Sequence, residues 1–157
     1  MNAEPELEYV GFWARVGAAL IDTMLVSAVV IPLLAAVYGW TYADGKVSMV
    51  AEGPASFFIS WVAPAIAVVA FWLYRQATPG KMVISARIVD AETGQPPTPR
   101  QAIGRYLAYY VSILPFCLGL LWVGFDRRKQ GWHDKLAGTV VVRPKVRGTE
   151  PVSFEKR

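Results

Sequence analysis

Two charged residues stand where a long apolar run begins. In "GFWARVGAALID" (11–22), Arg15 and Asp22 lie seven residues apart. At the centre of a bilayer each costs roughly 2.5–3.5 kcal/mol on an insertion scale. On a helix, Arg15, Ala18, Ala19 and Asp22 follow i, i+3, i+4, i+7 and line one face. Arg15 and Asp22 are then about 10.5 Å apart along the axis, too far for an easy direct pair. Ala18 and Ala19 between them let another segment approach closely. This face is expected to turn inward, with each charge partnered by a different segment. Arg15 can snorkel or meet a carboxylate. Asp22, deeper, must be paired with a donor, reached by trapped water or protonated. Two chemistries fit: a structural polar clasp that fixes helix register, or a titrating site in which Asp22 alternates between protonated and ion-bound states.

A second polar group lies in "DRRKQGWHDKLAG" (126–138), which holds Asp126, His133, Asp134 and Lys135. Neighbours on a helix do not face each other, so His133 and Asp134 are not a dyad by sequence alone. A lone interfacial histidine is more often hydrogen-bonded structure than a proton relay. No GxSxG elbow presents a nucleophile. One histidine and one cysteine inside an apolar run make no tetrahedral metal site, and Cys117 is expected buried and inert. "ATPGK" (77–81) lacks the GxxxxGK[ST] pattern and is expected to be a turn after a helix, punctuated by Pro79 and Gly80. Neither an enzyme nor a bound cofactor or metal is expected.

The elements that position these groups are apolar. The chain is 54% hydrophobic, with a mean hydropathy of +0.33. Residues 16–38 are interrupted only by Asp22, while 55–74 and 106–125 carry no charge over 20 residues each. That is the length a helix needs to cross a hydrocarbon layer about 30 Å thick. The sequence therefore predicts a polytopic, all-α membrane protein with lipid as its first partner. Its first helix runs from Gly11 to Tyr38 and its second over 55–75, with kinks possible at Pro32 and Pro64. The acidic start "MNAEPELEYV" has no basic n-region, so the first run is expected to be a retained anchor.

The net charge of +4 records topology rather than nucleic-acid binding. Of the 16 Lys and Arg residues only Lys46 lies in 39–54, beside Asp44 and Glu52. Arg75, Lys81, Arg87, Arg100, Arg105 and the cluster 127–129 flank the other connections. The positive-inside rule puts 39–54 outside and the N-terminus and basic segments in the cytoplasm. Runs 82–90 and "GTVVVRP" (138–144) are β-prone and are expected to pair as a small cytoplasmic β-element. Between them, 106–125 is either a third span or a re-entrant hairpin broken at Pro115 and Gly119. The charge rule favours the hairpin, since a full crossing would place 127–129 outside. A short amphipathic surface helix is expected around Trp132 and Leu136, capped by Gly138. Residues 148–157 are expected to form a flexible polar tail behind one domain, 1–147.

"YVGFWARVGAALID", "TPGKMVISARIVD" and "RKQGWHDKLAGTVVV" together resemble the RDD family of bacterial membrane proteins. The resemblance covers nearly the whole chain. It implies a compact inner-membrane domain whose signature arginine falls on Arg15 and first aspartate on Asp22. The second aspartate falls on Asp134, with Asp126 as a rival. Thr78, Gly80, Lys81, Asp126, His133 and Lys135 are secondary candidates. A cation/proton exchange or related transport role is implied within the family. Two spans are too few to enclose a pathway, so that role requires a homo-oligomer. The competing expectation is a non-transporting accessory that binds another membrane protein through its polar face.

Overall fold

In the computed structural model, residues 6–43, 46–48 and 53–145 are described. The tail 148–157, Asp44 and Glu52 lie outside them. The chain is mostly helical with a small sheet. It opens with strand β1 (Leu7–Tyr9) and helix α1 (Phe12–Tyr38), a 27-residue helix with Pro32 inside it. At 1.5 Å per residue α1 is about 40 Å long, enough to cross a bilayer. Most of its apolar side chains are exposed, as lipid contact permits. After α1, the segment expected only as a loop forms a two-stranded ribbon, β2 (Thr41–Ala43) and β3 (Lys46–Ser48), with Tyr42 opposite Val47.

The second apolar stretch is α2 (Pro54–Phe57), a π-helical turn (Phe58–Val62) and α3 (Ala63–Arg75). Pro64 has no N–H to donate, so the hydrogen-bond ladder changes pitch just before it. Gln76, in the left-handed region at φ 57°, ends the helix. "ATPGK" is more than a turn. Thr78 precedes a further short helix, α4 (Pro79–Val83), in which proline occupies a first-turn position that needs no donor. Among the described residues two stretches, Phe12–Tyr38 and Pro54–Val83, are long and apolar enough to span a membrane, or three if the bent pair Pro99–Ile113 and Leu118–Gly124 counts as one span.

Strand β4 covers Arg87–Asp90, shorter than the β-prone run that predicted it because Met82 and Val83 belong to α4. It pairs antiparallel with β5 (Thr139–Pro144), Ile88 opposite Val141 and Val89 opposite Val140. The sheet has a third strand that the sequence did not reveal. β1 pairs with the other edge of β5, giving the order β1-β5-β4. Val140, Val141 and Val142 are fully buried as a result.

Helix α5 (Pro99–Ile113) starts seven residues before the uncharged run. Thr98 caps it: its hydroxyl accepts from the Gln101 backbone N–H, and the Gln101 side-chain Oε1 accepts from the Thr98 N–H. Beyond Ile113 the chain folds back through Phe116 and Cys117, both at positive φ, into α6 (Leu118–Leu121) and a 3₁₀ turn (Trp122–Gly124). The segments on either side of the break meet at 112°. Pro115 lies in that break, but Gly119 does not make it. Gly119 sits within α6, where a Cβ would come 2.6 Å from Ser112 Cα, so its bareness lets the return segment pack on α5. Cys117 is exposed, contrary to expectation, because it sits at the apex of the turn.

Helix α7 (Trp132–Ala137) follows, ended by Gly138 in the left-handed conformation at φ 64°. The sequence predicted a helix lying on a surface. Leu136 is exposed, but the opposite side carries His133 and Asp134 into the core against α5.

Candidate functional site

Arg15 lies in the first turns of α1, at the point where β1 hands the chain to the helix. Each of its three guanidinium nitrogens donates one hydrogen bond. Nε donates to the Val10 carbonyl at 2.9 Å, Nη2 to the Lys129 carbonyl at 2.5 Å and Nη1 to Asp134 Oδ2 at 2.6 Å. One guanidinium thus ties α1, the residue that follows β1, the loop before α7 and α7 itself. Arginine suits this because its donors are spread in a rigid plane.

Asp134 is fully buried. Besides Arg15, its Oδ2 accepts the Gly131 N–H at 3.0 Å, closing the first turn of α7. Its Oδ1 faces Arg105 Nη2 at 2.6 Å, an ion pair whose atoms are not aligned as a hydrogen bond. Burial alone would raise the Asp134 pKa, but the Arg105 and then the Arg15 guanidinium outweigh it and hold the carboxyl well below the usual range. The site is therefore a carboxylate between two arginines. Arg105 also donates to Thr139 Oγ1 at 2.7 Å and lies over the Trp72 ring, 5.3 Å from its centroid.

His133 turns away from solvent. Its backbone N–H donates to Ser112 Oγ at 3.0 Å and its ring stacks on Tyr109 with centroids 4.0 Å apart. Nε2 is 3.5 Å from Asp134 Oδ1. Burial pushes its pKa down to about 3; Asp134 opposes this, while the two arginines add to it. The ring is neutral at ordinary pH, which suits packing rather than proton relay.

Asp22 goes to different partners. Thr78 Oγ1 donates to Oδ2 at 2.5 Å and the Gly80 N–H to Oδ1 at 2.7 Å. Both donors come from the start of α4, which docks on α1 at closest range where Gly80 meets Ala18. A Cβ on Gly80 would fall 2.0 Å from the Ala18 carbonyl oxygen. Ala18 is buried at this crossing and Ala19 is exposed, so only one of the two small residues serves the approach. Lys81 Nζ reaches Thr78 Oγ1 at 3.5 Å, one hydroxyl away from the carboxylate. Among the described residues Asp22 makes no ion pair within 4.0 Å. It also borders an apolar cleft of about 340 Å³ between α1 and the second apolar stretch, walled by Leu25, Val29, Ile59, Ala63 and Phe71.

Asp126 and Lys135 pair with each other at the surface, and Asp126 accepts the Arg128 and Gln130 N–H groups at 3.1 Å. Asp126 thus shapes the turn before α7 and does not touch Arg15. Of the two rival aspartates, the one joined to Arg15 is Asp134. Arg105 is the residue that sequence reasoning passed over. It reads as one more topology charge at the edge of 106–125. The Thr98-x-x-Gln101 capping signature was visible, however, and places Arg105 two turns inside a helix.

The RDD family model matches residues 9–138. The chain is 31% identical over 135 residues to the uncharacterized protein YckC of Bacillus subtilis, covering 83% of this chain and 82% of that one. It is 41% identical over 75 residues to the uncharacterized protein RP437 of Rickettsia prowazekii, covering 48% and 41%. It is 29% identical over 92 residues to the proline-rich antigen of Mycobacterium leprae, covering 56% and 37%. Against the latter two the chain spans about two fifths of the relative's length. No solved structure matches it. The matched stretch holds Arg15, Asp22, Arg105 and Asp134 together, and on that match the chain belongs to the RDD family of membrane proteins.

Proposed function

We propose that this membrane protein exchanges a cation for a proton, working as a homo-oligomer in the inner membrane with its N-terminus in the cytoplasm. One observation carries the reading: the two signature aspartates are held in opposite ways. Asp134 is locked by two arginines and a backbone amide. Asp22 is held by a hydroxyl and an amide, both neutral, at the rim of an open apolar cleft. A carboxylate with neutral partners in low dielectric has the greatest need of a counter-cation. Asp134 and its arginines then serve as the clasp that holds the helices, and Asp22 as the exchanging group. The basic segments beside the helices support the cytoplasmic N-terminus, and the 112° break at 114–117 supports a re-entrant hairpin over a third span. A single copy has too few spans to surround a path, so the copies must complete it.

The test is flux. Purified wild-type protein in liposomes loaded with a pH-sensitive dye is challenged with gradients of Na⁺, K⁺ or Li⁺. Proton movement driven by one of these gradients is expected; none under any gradient, from protein shown to be folded, overturns the exchange role.

A second reading has its own observation. The cleft between α1 and the second stretch is walled by apolar side chains and only partly enclosed, so it suits an apolar segment of another membrane protein. In that case the purified chain is monomeric in detergent and forms a defined complex only with that partner.

A further inference from the structure

Four basic side chains crowd the turn before α7, and two of them are spent on the fold. Lys135 pairs with Asp126 and lies over the Trp122 ring, 5.8 Å from its centroid. Arg128 donates to the Ala91 carbonyl and, at 3.4 Å, to the Tyr9 hydroxyl. The other two are available. Arg127 is exposed, and among the described residues its guanidinium makes no hydrogen bond or ion pair. Lys129 Nζ donates to the Gly124 carbonyl at 3.3 Å and keeps two hydrogens free. The backbone that carries them is fixed. The Lys129 N–H closes the turn on the Asp126 carbonyl at 3.1 Å, and the Lys129 carbonyl receives Arg15 Nη2 from the clasp.

The same turn ends the uncharged run 106–125. The Phe125 N–H donates to the Trp122 carbonyl at 3.0 Å, and in a 3₁₀ turn residues three apart eclipse, so these two rings share a side. Both are exposed. In a membrane protein an aromatic pair followed at once by cations marks the level where acyl chains give way to phosphates. Behind Arg127 opens a polar cavity of about 680 Å³, to which Arg128, Lys135, Asp90, Glu92 and Asp126 also contribute. Its three carboxylates match its three cations, so the cavity itself does not favour an anion. The surplus positive charge is on Lys129, which does not line it.

We propose that the turn 126–129 binds one anionic phospholipid, its phosphate on Arg127 and Lys129 and an acyl chain against Trp122 and Phe125. A soluble phosphate leaves the apolar half of this site unused, and a headgroup without net charge leaves the surplus cation unmatched. Because the Lys129 carbonyl holds Arg15, the lipid braces from outside the loop that the clasp holds from inside. The site is independent of exchange at Asp22.

The test is thermal unfolding of delipidated wild type in a neutral detergent, titrated with dioleoylphosphatidylglycerol, dioleoylphosphatidylcholine or inorganic phosphate at constant ionic strength. Phosphatidylglycerol should raise Tm saturably, and native mass spectrometry should count one lipid per chain. Phosphatidylcholine and phosphate should do neither. Arg127→Gln and Lys129→Gln should each weaken the apparent affinity about fivefold. Arg100→Gln, which removes an exposed charge from the first turn of α5, should leave it unchanged. Affinity is read as the shift from each variant's own lipid-free Tm, so a change in basal stability does not enter. Equal stabilisation by phosphatidylcholine would make the effect one of lipid in general, and equal stabilisation by phosphate would make the ligand a soluble anion. Equal weakening by Arg100→Gln would reduce the attraction to net charge. Each of these overturns the site, as does wild-type affinity in the Arg127→Gln, Lys129→Gln double variant or no effect of phosphatidylglycerol on wild type.

Discussion

Arg15 and Asp134, 119 residues apart in the chain, meet at 2.6 Å and join the first helix to the last. Their pair is completed by Arg105, 1% exposed, on the other carboxylate oxygen. Breaking such a buried group by removing one member leaves uncompensated charge and costs about 3–5 kcal/mol.

The two rival aspartates should therefore part company. Asp134→Asn strips two guanidiniums of their counter-charge and is expected to lose about 3–5 kcal/mol in detergent, or to fail to accumulate. Asp126→Asn loses a surface pair with Lys135 and is expected to cost about 1 kcal/mol or less. Thermal unfolding of the two variants side by side decides between them; equal losses would deny Asp134 its place at the centre.

Close approach of α4 to α1 depends on Gly80. Gly80→Ala drives a methyl to 2.0 Å from the Ala18 carbonyl oxygen, and backbone cannot yield as a flexible side chain does. A loss of about 1–3 kcal/mol or more is expected. Gly17→Ala, where a Cβ would meet nothing within 4 Å, should be nearly neutral in the same unfolding measurement.

Stability should fall in mildly acidic solution for a reason that can be assigned. His133 has a folded pKa of about 3 against an ordinary 6.5, so below pH 6.5 the unfolded chain takes up a proton that the folded one refuses. Stability is then full above pH 6.5 and declines toward pH 3, by at most about 1.4 kcal/mol per pH unit. The depressed carboxyls Asp90, Asp126 and Asp134 add their share at still lower pH, as it falls through the ordinary aspartate value of about 3.8. Between pH 4.5 and 6.5 the slope should shrink in His133→Asn, and an unchanged slope would assign it elsewhere.

Sidedness follows from the charge asymmetry. A cysteine at Ser48 should react with an impermeant thiol reagent outside intact cells, and one at Thr93 should not. Reporter fusions after Gln101 and after Lys129 should report the same compartment, since 99–124 doubles back at 112°. Opposite compartments would make 106–125 a full span.

What was legible in the sequence was whatever periodicity, length or punctuation encodes locally. The first two apolar stretches, the β4–β5 pairing, the Gly138 cap and the inward face of Arg15 and Asp22 all follow from such signals. What escaped depended on contacts between distant segments. β1 is three residues of an acidic start, and only the free edge of β5 makes it a strand. Arg105 looked like a boundary charge because the helix was counted from its apolar part. Helix α7 carries both an exposed leucine and an aspartate, and composition does not say that the aspartate side is the buried one. Cys117 sits in an apolar run but at the apex of a turn, where the chain leaves it uncovered.

The most direct measurement of the central claim is cation-driven proton flux in liposomes for wild type and Asp22→Asn, each shown to be folded and of the same oligomeric state. The carboxamide keeps the shape of the side chain, and its oxygen can still accept from Thr78 and Gly80, but it carries no charge. Proton-coupled flux in the wild type, lost in Asp22→Asn, is the predicted result. A folded Asp22→Asn protein with full activity would contradict it.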